Sequence, residues 1–154
     1  MSYSEISYPS FFAYAGVASA LIFANMGAAY GTAKSSIGIS NLGLVDEKKI
    51  FKALIPIIMA GILGIYGLII SVLIANKSDV GGNLAPEVGY RFFGAGLVCG
   101  FSSLASGLAI GIAGEAGVKA YAQTDKIFTG MILTLIFAEA LGLFGLIVAV
   151  MMIS

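Results

Sequence analysis

The sequence predicts an all-α membrane protein: four transmembrane helices, built as two tandem hairpins that assemble into a ring. Three observations carry this prediction. Of 154 residues, 59% are hydrophobic and only 10% are charged, and the mean hydropathy is +1.02, a composition foreign to a water-soluble domain. Four apolar stretches each reach the roughly 20 residues needed to cross the hydrocarbon. The second half of the chain also repeats the first.

The first stretch, Phe11 to Ala33, carries no charge and follows "MSYSEISYPS", which has no base. It is long for a signal-peptide core and reads as a retained helix. Ala53 to Ala75 and Phe92 to Gly114 are likewise uncharged, and Ile127 to Ile153 contains only Glu139. The rest reads as connection, so residues 1–154 form one integral-membrane domain with hairpins over 11–76 and 92–153. Basic residues concentrate on the cytoplasmic side of membrane proteins. Lys34, Lys48, Lys49 and Lys52 border the first connection and Lys119 and Lys126 the third, against Lys77 and Arg91 in the middle one. Connections 34–52 and 115–126 are therefore expected to be cytoplasmic and both termini to lie on the opposite side, the lumen of an endomembrane.

Laying Pro56 on Thr134 sets "PIIMAGILGIYGLIISVLIA" over "TLIFAEALGLFGLIVAVMMI" with eight of twenty positions identical, Gly64 on Gly142 and Gly67 on Gly145 among them. Laying Gly27 on Gly107 sets "GAAYGTA" over "GLAIGIA". Two helices return the chain to its starting side, so the copies share one orientation and are related by rotation about the membrane normal, unlike inverted transporter repeats. Small residues recur at helical steps of three, four or seven. Gly16, Gly27 and Gly31 mark the first helix, Gly64 and Gly67 the second, Gly96, Gly100, Gly107 and Gly111 the third, and Gly142 and Gly145 the fourth. Such faces let backbones approach where lipid supplies no hydrophobic drive. They would serve a monomeric bundle as well; the duplication favours a ring with the first and third helices innermost.

Several function classes fall away. Eight bases and eight acids cancel and form no basic stripe, so there is no footprint for nucleic acid. No histidine and a single cysteine, Cys99, leave no zinc or iron site and no intrachain disulfide. "GAAYGTA" lies inside a spanning helix and lacks the lysine of a phosphate loop. No cofactor, nucleophile or catalytic residue is expected.

Glu139 is the exception to this apolar plan. It stands about midway between Ile127 and Ile153, near the bilayer midplane, and Gly61 occupies its place in the first hairpin. A charged carboxylate there costs on the order of 3 kcal/mol or more. Desolvation therefore favours the neutral acid wherever lipid is beside it. No span holds a cation: Arg91 sits at the edge of the third helix and every lysine lies outside the apolar runs. A carboxyl that is neutral in lipid and ionises only beside a cation of another protein is a proton carrier. An interhelical hydrogen bond that merely tightens the bundle is the plainer alternative, but serine and threonine achieve that at lower cost.

"FAEALGLFGLIVA", "PIIMAGILGIYGLIISVLIA", "GAAYGTAKSSIGI" and "GLAIGIAGEAGV" together resemble the proteolipid c subunits of eukaryotic vacuolar-type proton-translocating ATPases. The resemblance covers nearly the whole chain, apart from the termini and the polar loops near Asn41 to Lys49 and Lys77 to Val88. It implies that Glu139 is the proton-binding carboxylate and that the protein joins other c-type proteolipids in a rotary ring within the lipid of a vacuolar or other acidic endomembrane. It further implies that a central stalk, which includes the d subunit, turns the ring. The a subunit of the stator would present the arginine that discharges each glutamate, with ATP hydrolysis in a peripheral sector.

The transported ion is expected to be H+. A sodium site would need several oxygen ligands beside Glu139, yet the sole glutamine, Gln123, is in a loop, and Ile62, Leu63 and Ile65 stand at that depth on the second helix. Only Ser102, Ser103 and Ser106 could contribute. Tyr66 could approach a neighbouring Glu139 and donate a hydrogen bond, or simply fill space. Asn25 reads as a structural hydrogen-bonding residue, and Glu115 as a solvated edge charge or a stalk contact. Two rival functions stand beside the proton carrier. An exporter of cationic compounds would want an aromatic cage, but there is no tryptophan and Glu139 sits among aliphatics. A pore or junction protein would want a polar lumen, but the first and third helices offer Gly, Ala, Ile and Phe.

Overall fold

The computed structural model describes residues 8–78 and 84–154. Residues 1–7 and 79–83, and with them most of the N-terminal stretch and part of the middle connection discussed above, lie outside the described residues. Among the described residues every regular element is helical: α1 (Tyr8–Gly43), α2 (Ile50–Ala53), α3 (Ile55–Ser78), α4 (Pro86–Gln123) and α5 (Phe128–Ile153), with 3-10 turns at Glu47–Lys49 and Asp125–Ile127. Four helical segments, each of the long helices with its adjoining short turns, are long and apolar enough to cross a membrane.

The helices outrun the apolar stretches that announce them. α1 has 36 residues and α4 has 38, roughly 55 Å at about 1.5 Å per residue against about 30 Å of hydrocarbon. Residues 34–43 and 115–123, read from sequence as connection, are helix. In the first of these Ser36, Ser40 and Asn41 donate to the carbonyls of Thr32, Ser36 and Ile37 at 2.8, 3.0 and 2.9 Å, a back-bond that helix offers to short polar side chains. The second span departs in the other direction. It does not begin as one helix at Ala53 but breaks at Leu54 and restarts at Ile55. Pro56 has no N–H to give the carbonyl of Lys52 and is tolerated only in a first turn. Pro86 opens α4 behind the extended Ala85 for the same reason.

The duplication reaches the connections as well. Asp46 accepts from the Lys48 N–H at 3.1 Å and caps the first 3-10 turn. Thr124, at the equivalent place in the second copy, accepts from the Lys126 N–H at 3.4 Å and caps the second.

Packing follows the glycines. A Cβ built on Gly16 or Gly27 would strike the backbone of Phe92 or Ser103, and one on Gly96 or Gly107 the backbone of Gly16 or Gly27; at Gly111 it would meet the Gly31 Cα at 3.1 Å. Repeat-equivalent glycines thus face each other along two parallel helices, and α1 and α4 form the closest pair in the molecule. A Cβ built on Gly100 would stand 2.7 Å from the Ser19 carbonyl oxygen. α3 sits on α1 through Gly31, Gly64 and Gly67, whose added Cβ atoms would meet Ala60, Asn25 and Ala24. α5 meets α3 and α4 through Gly142 and Gly145, facing Leu63 and Ser102. The buried side chains form two clusters, one around Leu63, Ile110 and Leu135, the other around Ile70, Phe92 and Cys99.

Candidate functional site

α5 carries Glu139 between a buried flank and an open one. Helical spacing sets this: Leu135, Ala138, Gly142 and Gly145 face inward, while Phe137, Leu141 and Phe144 face outward. Glu139 stands at the boundary, half-buried.

On the inner side the Tyr66 hydroxyl of α3 lies near the Glu139 carboxyl within the same chain. α3 packs against both α4 and α5, and Leu63 fills the gap over Gly142. Beneath the pair, the Ser106 hydroxyl of α4 donates to the Ala138 carbonyl at 2.7 Å. That bond locks α4 to α5 one residue from the acid and commits the serine's hydrogen. Ser103 is fully buried and its oxygen has no hydrogen-bond partner, and Ser102 lies against Gly145, one helical turn or more from Glu139.

No base reaches Glu139 among the described residues. The ion pairs all gather at the basic end of the bundle: Lys34 with Glu115 at 3.4 Å, Lys119 with Glu115 at 2.6 Å, and Lys49 with Asp125 at 2.9 Å and Asp46 at 3.9 Å. Glu115 is therefore a tie between α1 and α4 rather than a free edge charge. Lys49 also donates to the Tyr121 carbonyl at 3.3 Å and lies 5.0 Å from that ring's centre. Arg91 is exposed near the start of α4. Cys99 is buried and free. No group of histidine, cysteine or carboxylate side chains among the described residues could hold a metal ion. The Asn25 Oδ1 lies against α3, 2.8 Å from where a Gly64 Cβ would stand. Sequence reasoning missed the Lys49–Asp125 tie and the bond from Lys77 Nζ to the Ile153 carbonyl at 2.7 Å. Only the opposite charges on facing connections hinted at the first.

Fold and site together define a membrane proteolipid: a duplicated two-helix hairpin with one acid, lacking any cation, halfway along its last helix. The sequence matches the family of the ATP synthase C subunit twice, over residues 15–74 and again over residues 93–152. It is 53% identical over 148 residues to the 16 kDa proteolipid c subunit of the V-type proton ATPase of Ovis aries, covering 94% of this chain and 92% of that protein. To the proteins of that name from Nephrops norvegicus and Homo sapiens it is 52% identical over 143 residues and 50% over 151; these cover 93% and 98% of this chain, and 90% and 96% of the relatives. The chain belongs to the ATP synthase C-subunit family, among its V-type 16 kDa proteolipids.

Proposed function

We propose that this protein is a rotor subunit of a V-type proton ATPase and that Glu139 carries the proton. One observation bears most of the weight: the single acid of four apolar spans is half-buried beside a hydroxyl and has no cation among the described residues. Facing lipid, the neutral acid is the stable state. An arginine on the a subunit of the stator supplies the charge that lets the proton leave, and two half-channels beside it give opposite sides of the membrane access to the carboxyl. Rotation of the ring then moves neutral carboxyls through lipid from one channel to the other. ATP hydrolysis belongs to a peripheral sector and reaches the ring through a stalk that includes the d subunit.

The proton, rather than sodium, is supported by the names of the relatives and by the poverty of ligands: Ile62, Leu63 and Ile65 flank Tyr66 on α3 where a sodium site would need oxygens, and Tyr66 offers one oxygen. The basic end, with Lys34, Lys48, Lys49, Lys52, Lys119 and Lys126, faces the cytoplasm, and the termini face the lumen of a vacuole or other acidic endomembrane.

Glu139→Gln tests the assignment by keeping the shape and removing the titrating proton. Its ring is expected to assemble and ATP-driven acidification of vesicles to be lost. Pumping at the parent rate would refute the site.

A further inference from the structure

Where the first hairpin turns back into the membrane, it gathers more positive charge than the turn requires. The two basic-end connections are built alike, each a 3-10 turn that runs on into a helix. Under the internal repeat Lys48, Lys49, Ile50, Phe51 and Lys52 correspond to Lys126, Ile127, Phe128, Thr129 and Gly130. The second copy thus makes the same turn with one lysine where the first uses three. Lys49 is accounted for by its ties to Asp125, Asp46 and the Tyr121 carbonyl. Lys48 and Lys52 are exposed and belong to no ion pair among the described residues. They stand four residues apart, about one helical turn, a spacing at which like charges repel.

The three lysines line one cleft of about 450 Å³ between the two connections, walled also by Asp46, Asp125, Tyr121 and Phe128. Aromatic rings hold the cations in place: Lys49 Nζ and Lys52 Nζ lie 5.0 and 5.9 Å from the centres of the Tyr121 and Phe128 rings, and those rings pack on each other at 5.0 Å. Three lysines against the two carboxylates leave the cleft one net positive charge. Both carboxylates already serve Lys49, so the uncompensated charge belongs to Lys48 and Lys52.

Depth points to the source of the missing anion. Lys52 stands nine residues ahead of Gly61, the repeat counterpart of Glu139, and so roughly 13 Å from the midplane, close to where about 15 Å of hydrocarbon gives way to headgroups. Lys48 lies a turn farther out. Beside them Phe51 is 85% exposed, and Ile58, seven residues on and on the same helical side, is 61% exposed. A pair of cations at the level of lipid phosphates, with an apolar strip leading down from it, suits a molecule that is anionic at one end and hydrocarbon at the other.

We infer that this cleft binds the phosphate of an anionic glycerophospholipid, from the leaflet at the basic end, between Lys48 and Lys52, with an acyl chain along Phe51 and Ile58. The inference needs only that the helices span a membrane and does not rest on proton transport by Glu139.

The chain has no tryptophan, so Phe51→Trp places a single fluorescent indole beside the two lysines. The full chain carrying it is to be reconstituted in phosphatidylcholine vesicles with increasing shares of dibrominated phosphatidylserine or, separately, dibrominated phosphatidylcholine, whose brominated acyl chains quench by contact. Phosphatidylserine is expected to gather beside the indole at least about fivefold over its share of the vesicle, the weight of one lysine near an anionic surface. Lys48→Gln and Lys52→Gln are each expected to remove most of that enrichment, Lys52→Arg to keep it, and Lys126→Gln, outside the cleft, to leave it unchanged. Equal quenching by the two lipids would overturn the inference. So would an equal loss in all three glutamine variants, which would mean diffuse surface charge. Loss of the enrichment on adding excess inorganic phosphate at matched ionic strength would overturn the lipid as occupant in favour of a free anion.

Discussion

Glu139 and Tyr66 lie on opposite helices of one seam and lose different things on substitution. Glutamine at 139 removes the only titrating acid in the spans, so the loss of pumping is expected to be complete. Phenylalanine at 66 removes the hydroxyl beside Glu139 and keeps the packing, a difference of about 1 kcal/mol if that hydroxyl donates to the carboxyl. Tyr66→Phe is therefore expected to assemble normally and to slow ATP-driven acidification a few-fold, measured against Glu139→Gln in the same vesicles. An unchanged rate would reduce Tyr66 to a packing residue. Glu139 is legible in the sequence because a charge in an otherwise almost wholly apolar helix announces itself by cost alone. Its partner is less so. Sequence places Tyr66 near the right depth, but which flank of α5 receives α3 depends on how the hairpins lie side by side.

At the scale of the element, glycines decide where helices touch. Gly107 has the Gly27 backbone where its Cβ would stand, and backbone cannot step aside as a side chain can. Gly107→Ala is expected to destabilise the α1/α4 pair by about 1–3 kcal/mol, seen as earlier loss of helicity on heating in detergent. Gly130 on α5 is the contrast, since a Cβ there meets nothing within 4 Å. Gly130→Ala is expected to be neutral or stabilising by up to about 1 kcal/mol through helix propensity. Equal effects of the two would show that propensity, not close approach, governs these positions. The stripes themselves can be read from spacing, but helix ends cannot. Hydropathy registers lipid, so it stops at Ala33 and Gly114, whereas helix continues wherever partners exist: Gly38 lies 2.9 Å from the Glu115 carbonyl by its would-be Cβ, and Lys34 pairs with Glu115. The break at Leu54 is present in the sequence as Pro56, a signal that averaging over a span erases.

For the whole molecule the question is whether it acts unaided. Its outward surface along the spans is apolar, with Phe11, Ile22, Ile58, Phe101, Ile112 and Met151 all more than half exposed. Charge is confined to the ends, apart from Glu139. A pore needs a continuous wet path, and within the chain the facing surfaces of α1 and α4 meet glycine on glycine without room for one, so any such path would have to run between chains. An exporter needs a second group to displace the proton of Glu139, and the ion pairs of the described residues lie at the basic end instead. A carboxyl held in lipid without a cation exchanges its proton with neither side, because the charged state is several kcal/mol out of reach. Rings purified without stator or stalk and placed in vesicles under a pH gradient are accordingly expected to leak protons no faster than protein-free vesicles, and to export no cationic dye. A leak proportional to the number of rings would mean that water reaches Glu139 within the ring itself. The stator would then no longer be needed to explain how the proton leaves.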